Sequence, residues 1–168
     1  MKLRSWRGQR QIRNMKKRVL FLCTGNSCRS QMAEAIVNAR LGDRWEVVSA
    51  GVKPAAFVHP LALRALAEIG ITRQGNSKSV EEFRQAPFDL WGVVTVCDSA
   101  AEECPVWLGQ GKRLHLGFSD PAKVVGTEEE KMAAFRQVRD NIASQIPPLL
   151  RCVALFPPPV YRTEKPTA

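Results

Sequence analysis

One stretch of this chain has the residue types for nucleophilic chemistry: Cys23-Thr24-Gly25-Asn26-Ser27-Cys28-Arg29-Ser30. A cysteine and an arginine bracket five small or turn-forming residues. Such a backbone can curl with its N–H groups pointing into one bowl. A helix starting at once behind it would aim its positive end at the same point. Arg29 adds a planar, bidentate donor fork suited to a tetrahedral oxyanion. In that field the Cys23 thiolate is expected to be favoured, its pKa lowered from about 8.5 into roughly the 3.5–7.5 range. A thiolate facing an anchored oxyanion can attack it in line. Taken singly, a cysteine closing a buried strand is usually a small core residue, and Gly-Asn is usually a turn. Joined at this spacing, they read as a site where a phosphate-like group accepts a sulfur nucleophile.

Two further segments carry candidate groups. Cys97 and Cys104 are separated by Asp98 to Glu103. On an intact helix such a spacing spans roughly 10 Å at 1.5 Å per residue, beyond disulfide reach. Oxidation would have to unwind or loop out that segment, so the pair predicts a redox-driven conformational change. Asp120 stands before Pro121, where an Asp is most often a turn or cap residue. A zinc site from Cys23, Cys28, Cys97 and Cys104 is disfavoured, because the gap between the last two exceeds the usual knuckle spacing.

The elements that position these groups follow from the apolar pattern. Val19 to Cys23 is a continuous apolar run, the mark of a strand buried on both faces. Met32, Ala35, Ile36 and Ala39 then recur at helical spacing as far as Gly42. Trp45 to Ser49 reads as a second strand ending at Gly51. Ala62, Ala65, Leu66 and Ile69 form a helical stripe closed by Gly70. Leu90 to Cys97 reads as a third strand and Arg113 to Leu116 as a short fourth. Met132, Phe135, Val138 and Ile142 outline a long helix from Glu128, which Pro147-Pro148 is expected to end. Strands separated by helices imply a parallel α/β sheet with helices on both faces. In such sheets ligands sit at the carboxyl ends of strands, where the strand order reverses. The loop after the first strand is therefore the first place to look.

Composition sets the outer limits. The 168 residues are 45% apolar and 24% charged, in the range of one globular domain. No apolar run is long enough for a membrane span. The net charge of +9 is concentrated at one end: Lys2, Arg4, Arg7, Arg10, Arg13, Lys16, Lys17 and Arg18 have no acid among them. The remainder holds 17 basic and 16 acidic residues. The basicity therefore belongs to a tail, which shows no aromatic interleaving beyond Trp6, so neither nucleic acid nor membrane is read as a partner. The tail also lacks the apolar core of a secretory signal. It could be an anion-seeking arm, a targeting peptide, or sequence upstream of a start at Met15; the last is favoured, because Met15-Lys16-Lys17-Arg18 runs straight into the first strand. Five cysteines without a signal point to thiol chemistry or metal binding in the cytoplasm, not to a secreted disulfide framework. Residues 1–17 are thus read as a basic tail, 18–150 as a single domain and 151–168 as a Pro-rich tail.

Cys23 to Ser30 closely resembles the signature loop of the low-molecular-weight tyrosine phosphatase superfamily, in particular its arsenate reductase branch. The likeness covers roughly residues 18 to 146. It implies a four-stranded parallel sheet in the order 2-1-3-4, flanked by helices, with arsenate or phosphate held by Thr24, Gly25, Asn26, Ser27, Cys28, Arg29 and Ser30. Cys97 and Cys104 match the two relay cysteines of thioredoxin-coupled members. By that resemblance Cys23 attacks arsenate, Cys97 attacks Cys23 as arsenite leaves, and Cys104 then draws the disulfide to the surface for thioredoxin. Glutaredoxin or another low-molecular-weight thiol is the alternative reductant, and no bound cofactor is implied. Asp120 matches the family's general acid, which protonates the departing oxygen.

A phosphatase of the same fold needs neither Cys97 nor Cys104, and a thiol redox sensor or anion-binding module would need no turnover; both stay open as alternatives. Against the phosphatase, Asp120-Pro121 is followed by Ala122-Lys123, where tyrosine phosphatases place aromatic residues. Gly126 to Lys131 and Phe135 to Asp140 also resemble the reductase branch. Some members bind potassium, and Asn26, Glu34 and Ser49 match three of those positions. Ser79 stands where an acidic ligand is expected, so no metal is assigned. Cys28 is read as completing the loop's backbone, and Cys152, His59 and His115 as structural.

Overall fold

The computed structural model describes residues 16–84, 90–98 and 111–154. Cys104 and both terminal tails beyond these limits lie outside the described residues. Four strands, β1 (Lys17–Cys23), β2 (Trp45–Gly51), β3 (Gly92–Cys97) and β4 (Lys112–Phe118), form one parallel sheet in the order β2-β1-β3-β4. The helices are α1 (Arg29–Leu41), α2 (Pro60–Ala67), the short α3 (Glu81–Arg84) and α4 (Glu128–Ala154), with a 3₁₀ turn at Pro121–Lys123. This is the strand order that the family resemblance implies, on the parallel α/β sheet that the apolar pattern predicts.

The continuous apolar run of β1 is explained by its central place. Val19, Phe21 and Cys23 join the large core shared with α1, α2 and α4. Leu20 and Leu22 face the other side, against Val80, Phe83, Leu90 and Val93. At the edge, β4 alternates between exposed and half-buried positions, and its charged side chains discourage further strand pairing. The strand order reverses between β1 and β3, so their carboxyl ends open one crevice. Leu22 pairs with Thr95 and Cys97 with Phe118, which brings Cys23, Cys97 and the segment leading to Asp120 to the same edge.

Pro147-Pro148 does not end the last helix, contrary to expectation; α4 continues to Ala154. Pro147 has no N–H for the carbonyl of Ala143, the usual acceptor four residues back. That carbonyl instead accepts from Arg40 Nη1 at 2.8 Å. Ile146, Pro147 and Leu150 are buried, so packing against the sheet and α1 offsets what the proline removes. The start of α4 is conventional: Thr127 Oγ1 accepts from Glu130 N at 3.2 Å, and Glu130 Oε2 accepts from Thr127 N at 2.7 Å. These reciprocal bonds make a capping box. The predicted strands are each a residue or two off at their ends, and the stripe residues Ala39 and Ile69 are exposed rather than core.

Candidate active site at the carboxyl edge of the sheet

The loop between β1 and α1 is held by its carbonyl groups. Val52 N donates to Cys23 O at 3.2 Å, Lys53 N to Thr24 O at 2.9 Å, Ala55 N to Gly25 O at 2.8 Å and His59 N to Ser27 O at 2.9 Å. The Ser77 hydroxyl takes Asn26 O at 2.8 Å. With the carbonyls drawn outward, the amide N–H groups face inward. Among the described residues, those of Gly25, Ser27, Cys28 and Arg29 have no protein acceptor. The N-terminus of α1 has no side-chain cap and no acid in its first turn, so its positive end is directed at the same bowl. Gly51 is required for this approach: a Cβ there would lie 2.7 Å from Thr24 O and 2.9 Å from Asn26 N.

Asn26 is the pivot. Its φ is +47°, a left-handed conformation that Asn tolerates better than most residues. It is fully buried, and its amide makes four bonds. Nδ2 donates to Ser30 Oγ at 2.9 Å and to Ser49 Oγ at 2.8 Å. Oδ1 accepts from Lys78 N at 2.7 Å and from Gln31 Nε2 at 2.9 Å. Ser49 in turn donates to Glu34 Oε2, a buried carboxylate paired with Arg73 Nη2 at 2.9 Å and Lys78 Nζ at 3.1 Å. This directional chain runs from a charged triad to the nucleophile, because Ser30 Oγ accepts from Asn26 and has its own proton free for sulfur. Two cations thus already engage Glu34, and Ser79 instead bonds Glu82 through its backbone N–H.

Cys23 Sγ lies 2.9 Å from Ser30 Oγ and accepts from Asn26 N at 3.1 Å. The expected lowering of its pKa is not what the environment produces. Burial pushes the thiol up, and the hydrogen bonds from Ser30 and Asn26 pull it down by less. Arg29 does not supply a free charge to the sulfur, since its Nη2 pairs with Asp120 Oδ2 at 3.1 Å and its Nη1 donates to Phe118 O at 3.0 Å. Asp120 Oδ1 also accepts from Ala122 N at 3.1 Å, as cap of the 3₁₀ turn. Cys23 is therefore a thiol whose sulfur is already provided with the donors that a developing thiolate needs.

A cavity of 340 Å³ opens above the loop, lined by Cys23, Thr24, Gly25, Ser27, Cys28, Arg29, His59, Asp120, Ala122 and Lys123. Asn26 and Ser30, expected among the oxyanion-binding residues, are fully buried and not among the lining residues; Ser30 Oγ and Asn26 N lie against the Cys23 sulfur. His59 and Lys123 were not expected in it. The signal for His59 was the Pro60 that follows, marking a helix start whose cap sits beside the loop. Cys28 is buried in the cavity wall, its thiol pushed up to about 12 by burial and by the charge of Asp120. No Phe, Tyr or Trp lines the cavity among the described residues.

Cys97 is buried at the end of β3, its Sγ 3.6 Å from Thr24 Oγ1, next in sequence to the nucleophile. A shift in the β3–β4 pairing between Thr95 and Cys97 accompanies this placement. Cys104, its expected partner, lies outside the described residues. Cys152 is an exposed thiol, not a core residue. His115 pairs with Thr95 Oγ1 at 2.7 Å on the exposed edge strand. Among the described residues there is no cluster of three or more His, Cys, Asp or Glu that could hold a metal.

Residues 18–155 match the family model of the low molecular weight phosphotyrosine protein phosphatases. An arsenate reductase of Halalkalibacterium halodurans is 49% identical over 132 residues, covering 78% of this chain and 93% of the relative. Among solved structures, an arsenate reductase of Archaeoglobus fulgidus superposes with a TM-score of 0.66 at 30% identity, over 79% of this chain and 98% of that one. A thioredoxin-dependent arsenate reductase of Corynebacterium glutamicum gives 0.62 at 26% identity, over 83% of this chain and 63% of that one. With the carbonyl-anchored loop, the Cys23 and Arg29 pair and the Asp120 cap all in one cavity, the chain belongs to the low molecular weight phosphotyrosine protein phosphatase family, within its arsenate reductase branch.

Proposed function

We propose that this protein is an arsenate reductase working through a thiol relay, with Cys23 as nucleophile, Cys97 as second thiol and Cys104 as third. The observation that carries the reading is the placing of a second buried cysteine, Cys97, against the residue that follows the nucleophile. A hydrolase leaves such a thiol unexplained. The related reductases support the substrate, and the cavity is consistent with it, since a small tetrahedral anion needs N–H donors and Arg29 and no aromatic wall. Arg29 and Lys123 offset Asp120 and leave the cavity attractive to an anion.

The sulfur of Cys23 displaces one oxygen of arsenate and becomes bonded to arsenic(V). The thiol proton and a proton delivered through Asp120 leave with that oxygen as water. The sulfur of Cys97 then attacks Cys23, the sulfur–arsenic bond breaks, and its electron pair stays on arsenic, which departs as arsenite. Two thiols have become one disulfide, supplying the two electrons that arsenic gains. Cys104 attacks Cys97, releases Cys23 as a thiol and leaves a Cys97–Cys104 disulfide for an external dithiol. Thioredoxin is the donor proposed, as for the Corynebacterium relative, in the reducing cytoplasm. No helix among the described residues is long and apolar enough to cross a membrane.

The test is NADPH consumption with arsenate, thioredoxin and thioredoxin reductase, run on wild type, Cys97→Ser and Cys104→Ser, beside hydrolysis of an aryl phosphate. Wild-type turnover lost in both variants is the expected result. Aryl phosphate hydrolysis equal in all three, with no NADPH consumed by any of them, would replace the reductase by a phosphatase. Replacing thioredoxin with glutaredoxin and glutathione in the same assay identifies the donor.

A further inference from the structure

His59 enters the cavity from the turn before α2, an element separate from the signature loop and from the Asp120 segment. Three contacts fix its ring. Nδ1 accepts from Leu61 N at 3.2 Å and so caps α2. One face stacks on Phe135, with ring centres 4.7 Å apart and planes 28° from parallel. The backbone N–H is bonded to Ser27 O of the loop. A neutral imidazole that accepts at Nδ1 carries its proton on Nε2. Among the described residues Nε2 has no protein partner, and His59 lines the cavity. The cavity therefore holds a rigid, uncharged N–H donor that the thiol relay does not use.

We propose that His59 is a further substrate-binding residue, donating Nε2–H to an oxygen of the bound arsenate or phosphate. The proposal rests on the reading of the cavity as an oxyanion site. Loop amides and Arg29 supply donors from β1–α1, and His59 adds one from the turn before α2, a separate element lining the same cavity. Burial disfavours a charge on the ring, and the Asp120 carboxylate opposes that trend. A neutral donor suits this position, since protonation would place a proton on Nδ1 and remove the acceptor that caps the helix. Because the contact is made equally before and during the attack on arsenic, it should appear in affinity rather than in the chemical step.

His59→Asn separates the two roles of the ring. Asn is among the best helix caps, so α2 keeps its start through Oδ1, while the shorter amide no longer places an N–H where the ring Nε2 stood. The reduced full-length protein would be titrated with inorganic phosphate by calorimetry, and the Nε2–H resonance of His59 followed by nitrogen-15 NMR. Expected are a folded protein whose melting temperature falls only by the loss of the Phe135 stacking, and a phosphate Kd raised about ten- to a hundredfold, the worth of one hydrogen bond to an ionised acceptor. The arsenate KM should rise by the same factor at nearly constant kcat, and the Nε2–H signal of the wild type should shift on phosphate binding. If wild type binds phosphate and His59→Asn binds it equally, with the wild-type signal unmoved, His59 is a helix cap and the proposal falls. If wild type itself binds no phosphate, the oxyanion reading of the cavity fails, and this one with it.

Discussion

Truncating Asn26 to Ala tests whether the loop geometry is held from behind by one side chain. The amide makes four buried bonds, and its removal leaves the Lys78 N–H without an acceptor, whereas Ser30, Ser49 and Gln31 each retain another partner. An orphaned buried donor costs about 1–3 kcal/mol, and the net loss from the other bonds adds about 1 kcal/mol. Ala at a φ of +47° adds roughly 1 kcal/mol more. The expected destabilisation is about 3–5 kcal/mol, a large share of the 5–15 kcal/mol that holds an ordinary domain together. Asn26→Gly loses the same bonds without the backbone strain, so it should be less destabilising than Ala by about 1 kcal/mol. Urea unfolding followed by tryptophan fluorescence gives both values, since Trp45 is buried. Both variants should also bind phosphate at least about tenfold more weakly, as the loop loses the side-chain amide that anchors it to Ser30, Ser49, Gln31 and Lys78 and holds its N–H groups in place. An Ala variant within 1 kcal/mol of wild type, or one more stable than the Gly variant, would refute the reasoning.

Three other expectations follow from single contacts. Gly51→Ala would set a methyl group against three backbone atoms of the loop, all within 3.0 Å, so phosphate affinity should fall at least about tenfold with a stability loss of about 1–3 kcal/mol; calorimetry and urea unfolding decide it, and an unchanged Kd argues against the close approach. Arg40→Met should cost about 0.5–1 kcal/mol by freeing the Ala143 carbonyl, and clearly less in a Pro147→Ala background, where the new N–H can take over; a double-mutant cycle without coupling contradicts the account of the proline. Burial holds the His59 pKa below the ordinary value of 6.5, so the unfolded chain takes up the proton first as pH falls. Its stabilising effect is complete above about pH 6.5 and is lost as pH drops towards the folded-state value; denaturation at pH 7.5 and 5.0 should show a steeper loss for wild type than for His59→Asn, and equal slopes would count against it.

The local chemistry was legible because it is written in consecutive residues. An unbroken apolar run from Val19 to Cys23 can only be a strand covered on both faces, and the eight residues after it state both a turn and an anion site. Helical stripes such as Met132, Phe135, Val138 and Ile142 were equally plain, since each reports one buried face. Helix α1 was harder to read in full: its first nine residues are all buried, and Gln31 and Glu34, outside the apolar stripe, are part of the loop's support. Pro147 misled for a related reason, because the donor that compensates for its missing N–H comes from Arg40 on another helix.

Residue type and spacing therefore pointed to the fold class, the nucleophile and the oxyanion-binding loop as candidates, and the family resemblance of the sequence implied Cys97 and Cys104 as the electron-supplying pair. The tertiary structure decided which groups share the cavity, that Asn26 and Ser30 lie against the sulfur, and that His59 and Lys123 stand in the wall. It also reversed the expected direction of the Cys23 pKa. Spacing conveys the positive end of a helix and a nearby arginine, both of which favour the thiolate. How far the sulfur is removed from water, and that Arg29 is already paired with Asp120 across the chain, are decided only when strands distant in sequence close over one edge of the sheet.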